Sequence, residues 1–268
     1  MTTVTVNAGA NAALANDLVQ QATAEPTSSG ATVIAPSDNL VTLPGGFISN
    51  GEVIKTAEVR ELTGRDEEAI ARSAGTPRLF SSILSRAVVS IGGTPATEEM
   101  LDAMLTGDRD ALLLGIYRMT FGTVAEVQSW CAGCREAKTV GVDTYTDIKT
   151  KVLVDPVEDR NFIVKGKNAE YLVTLPTGIT SKLLSADVDR NYAENLTILL
   201  EQTVLQINGR PSLGKFQVQN LGIVDRNKIA TKIAERNPGP QFDDVKVTCP
   251  DCESEVLVPI NLGTLFQF

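Results

Sequence analysis

Residues 127–142 read Val-Gln-Ser-Trp-Cys-Ala-Gly-Cys-Arg-Glu-Ala-Lys-Thr-Val-Gly-Val, and residues 245–260 read Val-Lys-Val-Thr-Cys-Pro-Asp-Cys-Glu-Ser-Glu-Val-Leu-Val-Pro-Ile. In both, a valine lies four residues before the first cysteine and a Val-x-Val segment follows the second. This pattern predicts a β-hairpin with a zinc-binding turn, a zinc knuckle. The chain has four cysteines and no histidine, so either pair alone would leave a closed zinc site two ligands short. We therefore predict one shared Zn²⁺ site with four thiolate ligands, Cys131, Cys134, Cys249 and Cys252.

Two alternatives to a shared zinc site are open. One is a degenerate pair of knuckles that no longer holds metal, and the other is disulfide or redox chemistry. The segment Trp130–Cys134 superficially resembles a thioredoxin active site. That chemistry requires the first cysteine at a helix N-terminus, where the helix dipole lowers its pKa. Residues 135–142 instead have the pattern of a strand, and a reducing cytosol favours metal over disulfide.

The composition is that of a soluble globular protein with an acidic balance. The 268 residues carry a net charge of −9, which argues against nucleic acid as the main partner because such binding needs Lys and Arg to neutralise phosphates. The N-terminus lacks the charged segment and apolar core of a signal peptide, and no apolar stretch approaches the length of a membrane span. We expect synthesis in the cytosol and no membrane contact.

Short landmarks recur in the same order in two parts of the chain, at a spacing of roughly 115 residues. Besides the cysteine pairs, the corresponding segments are Val59–Gly64 and Val173–Gly178, Ile91–Pro95 and Ile207–Pro211, and Asp108-Arg109 and Asp225-Arg226. Chance recurrence of similar elements is the alternative explanation. We predict an α+β fold with an internally duplicated helical unit, each copy ending in a small β-hairpin zinc knuckle.

The duplication divides the chain into three parts. Residues 1–43 form an N-terminal arm, residues 44–150 the first repeat unit with its knuckle, and residues 151–268 the second. The arm is poor in large apolar groups, so it is either flexible or ordered against a partner. The C-terminal residues 262–268 are apolar, as expected of a segment docked in its own core or on a partner.

Helix and strand signals repeat in both units. The first unit reads as a strand at 51–62, a helix at 66–73, a helix after Pro77 that Gly92-Gly93 ends, a third capped by Thr97 and a fourth capped by Asp108 and closed by Gly122. The second unit reads as a hairpin around 165–168 and helices at 179–184, 192–206 and 225–236. Helix N-capping by Asp108 and Asp225 explains their recurrence without catalysis.

No catalytic site can be assembled from the sequence. There is no histidine, no Gly-x-Ser-x-Gly segment and no pairing of a nucleophile with a base. We expect a protein that is not an enzyme, without catalytic residues and without a cofactor-binding site other than the zinc site.

The segment Leu62–Glu68, the helix that begins with Asp-Arg, and the Val-x-x-x-Cys-x-x-Cys hairpin together resemble a known family. They are similar to zinc-ribbon baseplate hub and tail-assembly proteins of T-even-like contractile-tailed bacteriophages. Cys-Pro-Asp-Cys at 249–252 and the terminal Phe-Gln-Phe fit the same resemblance. The resemblance covers about residues 50–143 and again about 170–268.

The resemblance implies a structural component of a tail baseplate, a hub or tail-tip subunit, in the virion tail and in the host cytoplasm during assembly. Its partners would be other tail and baseplate proteins, contacted through the N-terminal arm and the apolar C-terminus, in a multi-copy assembly. A tail-assembly chaperone that leaves the finished particle is one alternative. A zinc-ribbon nucleic-acid-binding protein is another, which the net charge disfavours.

Overall fold

The computed structural model describes residues 39–73, 76, 78–242 and 245–266, which form nine α-helices and several small antiparallel sheets. The fold is therefore mixed α and β. Of the predicted N-terminal arm, residues 1–38 lie outside the described residues, and strand β1 begins at Leu40. Leu43 is 2% exposed in the core, so residues 40–43 belong to the folded sheet. The predicted boundaries between repeat units stay predictions.

The first half of the described chain is built on a four-stranded sheet of order β1-β2-β3-β4. Its strands are β1 (Leu40–Ser49), β2 (Glu52–Val59), β3 (Val88–Ile91) and β4 (Thr94–Pro95). Two helices connect β2 to β3, and two more follow β4: α1 (Gly64–Ala71), α2 (Leu79–Ala87), α3 (Glu98–Ala103) and α4 (Thr106–Phe121). The half ends in a hairpin of β5 (Val124–Cys131) and β6 (Glu136–Asp143).

The second half follows the same succession. A short strand β7 (Thr150–Lys151) and a 3₁₀ turn (Glu158–Arg160) lead into it. Its sheet has the order β11-β10-β9-β8, from β8 (Asn161–Lys165), β9 (Glu170–Thr174), β10 (Val204–Ile207) and β11 (Arg210–Pro211). Helices α5 (Gly178–Ser185) and α6 (Tyr192–Thr203) connect β9 to β10, and α7 (Lys215–Gln219) and α8 (Ile223–Arg236) follow β11.

The last segment of the described chain returns to the first half. Strand β12 (Gly239–Pro240) pairs with β7, and the hairpin of β13 (Lys246–Thr248) and β14 (Glu255–Leu257) packs beside β5 and β6. A final short helix, α9 (Leu262–Leu265), contacts α4. Two apolar cores result, and the core of the first half includes Val245, Val258, Ile260, Leu265 and Phe266.

The described end of the C-terminus takes one of its two predicted positions, the core of its own chain. Leu265 and Phe266 are 9% and 3% exposed. The ring of Phe266 meets that of Tyr117 edge to face, with 5.8 Å between centroids. Because these apolar side chains are buried in the core of their own chain, this part of the C-terminus is not a free docking surface. Residues 267 and 268 lie outside the described residues.

Local signals predicted most helices, but three strands were not predicted. Thr97 caps α3 by accepting from the Met100 amide (3.3 Å), and Gly122 ends α4 with φ of 95°, as expected. Strands β3 and β10 were predicted as helix continuations, because no Gly or Pro separates α2 from β3 or α6 from β10. Strand β1 was not predicted, since residues 40–43 were assigned to the N-terminal arm and the first strand was expected at 51; the structure has a strand with a β-bulge between Thr42 and Phe47.

The prediction that Asp108 and Asp225 cap helices is wrong. The N-cap residues of α4 and α8 are Leu105 and Gly222, and both aspartates lie three positions further on. Oδ1 of Asp108 accepts from the Gly45 amide (2.6 Å) instead. Each carboxylate therefore satisfies backbone amides of a neighbouring bulge or hairpin, which sequence spacing alone does not reveal.

Candidate metal centre

The two Cys-x-x-Cys turns have the same backbone conformation. Cys131 ends β5 and Cys134 follows in the turn to β6, where the Arg135 amide donates to the Cys131 carbonyl (2.8 Å). In the second hairpin, the Glu253 amide donates to the Cys249 carbonyl (3.0 Å). Arg135 and Glu253 have φ of 60° and 58°, a left-handed conformation uncommon for residues with a side chain. Both turns are thus shaped to present their two sulfur atoms on one side.

The four sulfur atoms meet at one point between the hairpins. All four Sγ atoms lie within 4.8 Å of one another. Sγ of Cys131 is 3.5 Å from Sγ of Cys252, and Sγ of Cys134 is 3.8 Å from Sγ of Cys249. A tetrahedron with metal–sulfur bonds of about 2.3 Å has sulfur–sulfur edges of about 3.8 Å. The spacing fits a four-thiolate metal site and exceeds the S–S bond of about 2.05 Å in a disulfide.

The cluster combines a buried side with an accessible one. Cys131 and Cys249 are 0% and 1% exposed and pack against Val256, whereas Cys134 is half-buried and Cys252 exposed. Gly133 leaves no space for a side chain, since a Cβ there would lie 2.8 Å from Sγ of Cys252. The small residue at position 133 therefore lets the two turns approach closely.

The pKa values of two of the thiols, Cys134 and Cys252, are shifted in opposite directions. Hydrogen bonds from Ser254 are the main cause that lowers the pKa of the Cys252 thiol to about 6. Hydrogen bonding with Cys252 raises the pKa of the Cys134 thiol, with a further contribution from burial. Without a cation the cluster thus favours the Cys252 thiolate and disfavours that of Cys134, and a cation would allow more than one thiolate at the same point.

Two polar contacts outside the cysteines join the hairpins. Nζ of Lys138 lies 2.5 Å from carboxylate oxygens of both Glu136 and Asp251, the latter in the second turn. The buried hydroxyl of Ser129 donates to the Leu257 carbonyl (2.7 Å). The alternating pattern of β5 and β6 contains both side chains, but nothing in the sequence shows their partners more than one hundred residues away.

The structure brings together all four predicted ligands, and their secondary-structure context differs from that of a redox motif. Strand β6, rather than a helix, follows Cys134, so the helix dipole that activates thioredoxin-like cysteines is missing at this pair. The donor set consists of four sulfur atoms at metal-binding distance, which is compatible with a metal site.

A comparison with protein families identifies the chain. The model of the T4 bacteriophage base plate protein family matches residues 49–267, which is most of the sequence. The chain belongs to this family. The match confirms the resemblance to baseplate proteins of T4-like phages.

The baseplate family match includes both cysteine turns, so the candidate metal centre lies within the family region. No curated relative and no solved structure matches the chain. Within the described residues of this baseplate protein, no helix is both long and apolar enough to cross a membrane.

Proposed function

We propose that the protein is a structural subunit of a phage tail baseplate, at the hub or tail tip, stabilised by one Zn²⁺ ion on Cys131, Cys134, Cys249 and Cys252. The observation that carries the proposal is the convergence of four thiols at tetrahedral spacing in a chain of the baseplate family. An all-sulfur tetrahedral set favours zinc among the common divalent ions, and a full set of four protein ligands is typical of a structural site.

The zinc ion would fasten two distant parts of the chain. Cys131 and Cys134 lie in the hairpin that ends the first half, and Cys249 and Cys252 in the hairpin that ends the second. Structural zinc stabilises small domains by on the order of 10 kcal/mol, far more than the Lys138–Asp251 ion pair. The metal would thus hold the last hairpin against the first half, in a particle whose parts must keep their relative positions.

The proposed subunit is internally duplicated, and the Asp-Arg pairs give the sharpest support. Arg109 donates to the Leu101 carbonyl (2.6 Å), eight residues earlier, and to the Ser81 hydroxyl (3.1 Å). Arg226 donates to the Val218 carbonyl (3.3 Å), also eight residues earlier, and to the Thr197 hydroxyl (2.8 Å). The partners occupy corresponding places on corresponding helices.

The aspartates of the two pairs support the same reading. Asp108 accepts from the Gly45 amide next to the β1 bulge. Asp225 accepts from the amides of Lys167 and Asn168 in the β8–β9 hairpin. Contacts of the same kind at corresponding positions, together with the repeated element order, favour two copies of one unit over chance recurrence.

We infer that the protein acts through binding rather than catalysis. The two recurring carboxylates, Asp108 and Asp225, are buried and hydrogen-bonded to backbone amides, which is a structural use of these groups. Other tail proteins are the proposed partners, with the N-terminal arm as one contact, and the virion tail is the proposed location.

Mass spectrometry of purified virions tests this function. The protein should be present in finished particles, and a Cys249→Ser variant should be incorporated far less well. Trp130→Phe is the matched control, because Trp130 adjoins the cluster but is 63% exposed and is not a ligand. Absence of the wild-type protein from finished particles would support the assembly-chaperone alternative and overturn the structural role.

A further inference from the structure

Helix α5 of the second half lies in a groove of the first half, between α2 and α4. The amide of Gly178, the first residue of α5, donates to the Met104 carbonyl (2.9 Å). The amide of Thr106, the first residue of α4, donates to the Pro176 carbonyl (3.0 Å). A Cβ at Gly178 would lie 2.6 Å from the carbonyl oxygen of Leu101, so the first turn of α5 is in close contact with the backbone of α3.

An ion-pair cluster fixes the position of α5 in this groove. Nζ of Lys182 lies 2.8 Å from Oε1 of Glu98 and 2.6 Å from Oδ2 of Asp102, both on α3. With α5 in place, the space that remains between Ser81, Arg109 and Ser181 is about 80 Å³. The groove of the first half is essentially filled.

The corresponding groove of the second half, between α6 and α8, is open. Its volume is about 770 Å³. Its walls repeat those of the filled groove, with Leu196 for Phe80, Thr197 for Ser81, Ile223 for Thr106, Arg226 for Arg109 and Asn227 for Asp110. Ile223, Arg226 and Asn227 are more exposed than their counterparts in the filled groove, whereas Leu196 and Thr197 are buried.

The exposure at the mouth of the open groove shows this directly. Leu105 is 1% exposed under α5, whereas its counterpart Gly222 is exposed. The counterpart of Thr106, Ile223, is an apolar side chain with 76% exposure. Tyr192, which also lines the groove, is 72% exposed, and grouped exposed apolar side chains are typical of a surface that binds a partner.

The first half carries the counterpart of α5 with its docking face free. Helices α1 and α5 align residue for residue from their first glycines, Gly64 and Gly178, which follow the N-cap residues Thr63 and Thr177. The α5 residues that contact the groove correspond to four residues of α1, all exposed: Gly64, Glu67, Glu68 and Ala71. A Cβ at Gly64 would have no neighbour within 4 Å.

The charges of the free helix and the open groove are complementary. The counterpart of Lys182 on α1 is Glu68, and the counterpart of Glu98 at the open groove is Lys215. Both are exposed. The Lys182–Glu98 ion pair of the filled groove thus corresponds to Glu68 and Lys215, with the charges exchanged. Among the described residues, Glu68 and Lys215 form no ion pair with each other inside one chain.

We propose that α1 of one copy docks in the open α6–α8 groove of a second copy, which produces a head-to-tail assembly of this chain. The inference rests on the internal duplication proposed above, because the docked α5 supplies the geometry. Such an interface joins two different surfaces, so it propagates until it closes as a ring or extends as a filament. Each chain would then contribute two successive repeat units to the assembly, joined covalently.

One position distinguishes the contact between copies from the contact within the chain. Gly107 is pressed against Pro238, with space for no side chain. Its counterpart is Val224, 62% exposed, and the counterpart of Pro238 is Phe121, 52% exposed. Backbone contact is replaced there by an apolar side-chain pair, so the copies approach less closely at this edge.

Sedimentation analysis of the full-length protein, from micromolar to near-millimolar concentration, tests the proposal. We expect the wild type to form species larger than its 28.6 kDa monomer. Glu68→Lys and Lys215→Glu should each weaken association about tenfold or more, since each places like charges together. The double variant should recover most of the association, because it restores the pair in reversed orientation.

Two further variants sharpen the test. Gly64→Leu should abolish association and leave the monomer folded, because position 64 has open space within the chain. Glu126→Lys, an exposed charge reversal on β5, should leave association unchanged. Circular dichroism of each variant verifies that the fold is retained.

A wild type that stays monomeric at every concentration overturns the proposal. Association that Glu68→Lys and Lys215→Glu leave unchanged also overturns it, and so does failure of the double variant to recover, which would assign the groove to another protein or to residues 1–38. Metal content and virion incorporation are measured separately. A monomer that holds zinc and enters virions would rule out this interface and would still support the proposed baseplate function.

Discussion

Sγ of Cys131 and Sγ of Cys252 are separated by 121 residues in sequence and by 3.5 Å in space. Each belongs to the hairpin that ends one half of the chain, and the Lys138–Asp251 ion pair bridges the same two hairpins. The cysteine cluster therefore reports whether the last hairpin is seated against the first half. In the proposed function the cluster holds the two hairpins together, so its loss should affect stability and assembly.

Loss of a buried ligand should release the second hairpin. In Cys249→Ser, we expect a large drop in thermal stability. A strong chelator should destabilise the wild type, by on the order of 10 kcal/mol, and should not destabilise the variant further. Differential scanning calorimetry with and without chelator measures both effects. Trp130→Phe should behave like the wild type, and an equal chelator response in Cys249→Ser would contradict the metal role.

The two helix-initiating glycines should respond differently to the same substitution. Gly178→Ala places a Cβ 2.6 Å from the Leu101 carbonyl oxygen, so the α5 contact must shift, at a cost of about 1–3 kcal/mol. Gly64→Ala meets nothing within 4 Å. Urea unfolding of dilute protein should therefore show destabilisation only at position 178, and equal effects would mean that α5 is not packed as described.

Asp225 should stabilise the fold more at neutral pH than at acid pH. The Lys167 amide, with further hydrogen bonds from the Tyr171 hydroxyl and the Asn168 amide, lowers the pKa of Asp225. A carboxyl with a lowered folded-state pKa contributes stability above its unfolded pKa of about 4, and this is lost as pH falls through the folded value. Asp225→Asn should cost about 1.5–3 kcal/mol at pH 7 and much less in acid.

Asp108 should show the opposite dependence. Burial raises the pKa of Asp108 to about 6, against the Gly45 amide, which lowers it. With the folded-state pKa above the unfolded value, the protonated form is favoured on folding, so this contribution is present below about pH 4 and is lost as pH rises through about 6. Asp108→Asn should gain stability relative to the wild type between pH 5 and about pH 7, as measured by unfolding across that range. A parallel pH profile for the two aspartate variants would refute this contrast.

The end of the N-terminal arm can be located by truncation. Removal of residues 1–43 takes away the start of β1 with Leu43, which is 2% exposed in the core. Relative to removal of residues 1–38, it should cost several kcal/mol more, because a buried leucine and strand pairings are lost. Melting temperatures of the two truncated proteins decide the point, and identical values would place β1 outside the stable fold.

The clustering of the four cysteines was predictable because Cys-x-x-Cys spacing and the absence of histidine leave few ways to complete a closed metal site. The helices were predictable where a local signal exists, as at Thr97 and Gly122. Strands β3 and β10 were not, because their residues change from helix to strand without a breaker and are fixed by pairing with β2 and β9.

Long-range polar contacts were equally invisible in the sequence. Asp108 and Asp225 occupy positions typical of helix starts, and only the fold shows that their carboxylates reach amides of a distant bulge and hairpin. The same holds for Lys138, whose partner Asp251 comes from the other hairpin. Local sequence specifies the ends of elements, whereas tertiary packing selects these partners.

Elemental analysis of protein purified without chelator decides whether the two hairpins share one metal site. We expect one zinc ion per wild-type chain and none in a Cys131→Ser, Cys249→Ser double variant, with Trp130→Phe retaining the full amount. No zinc in the wild type, two ions per chain, or undiminished zinc in the double variant would contradict a single site shared between the two hairpins.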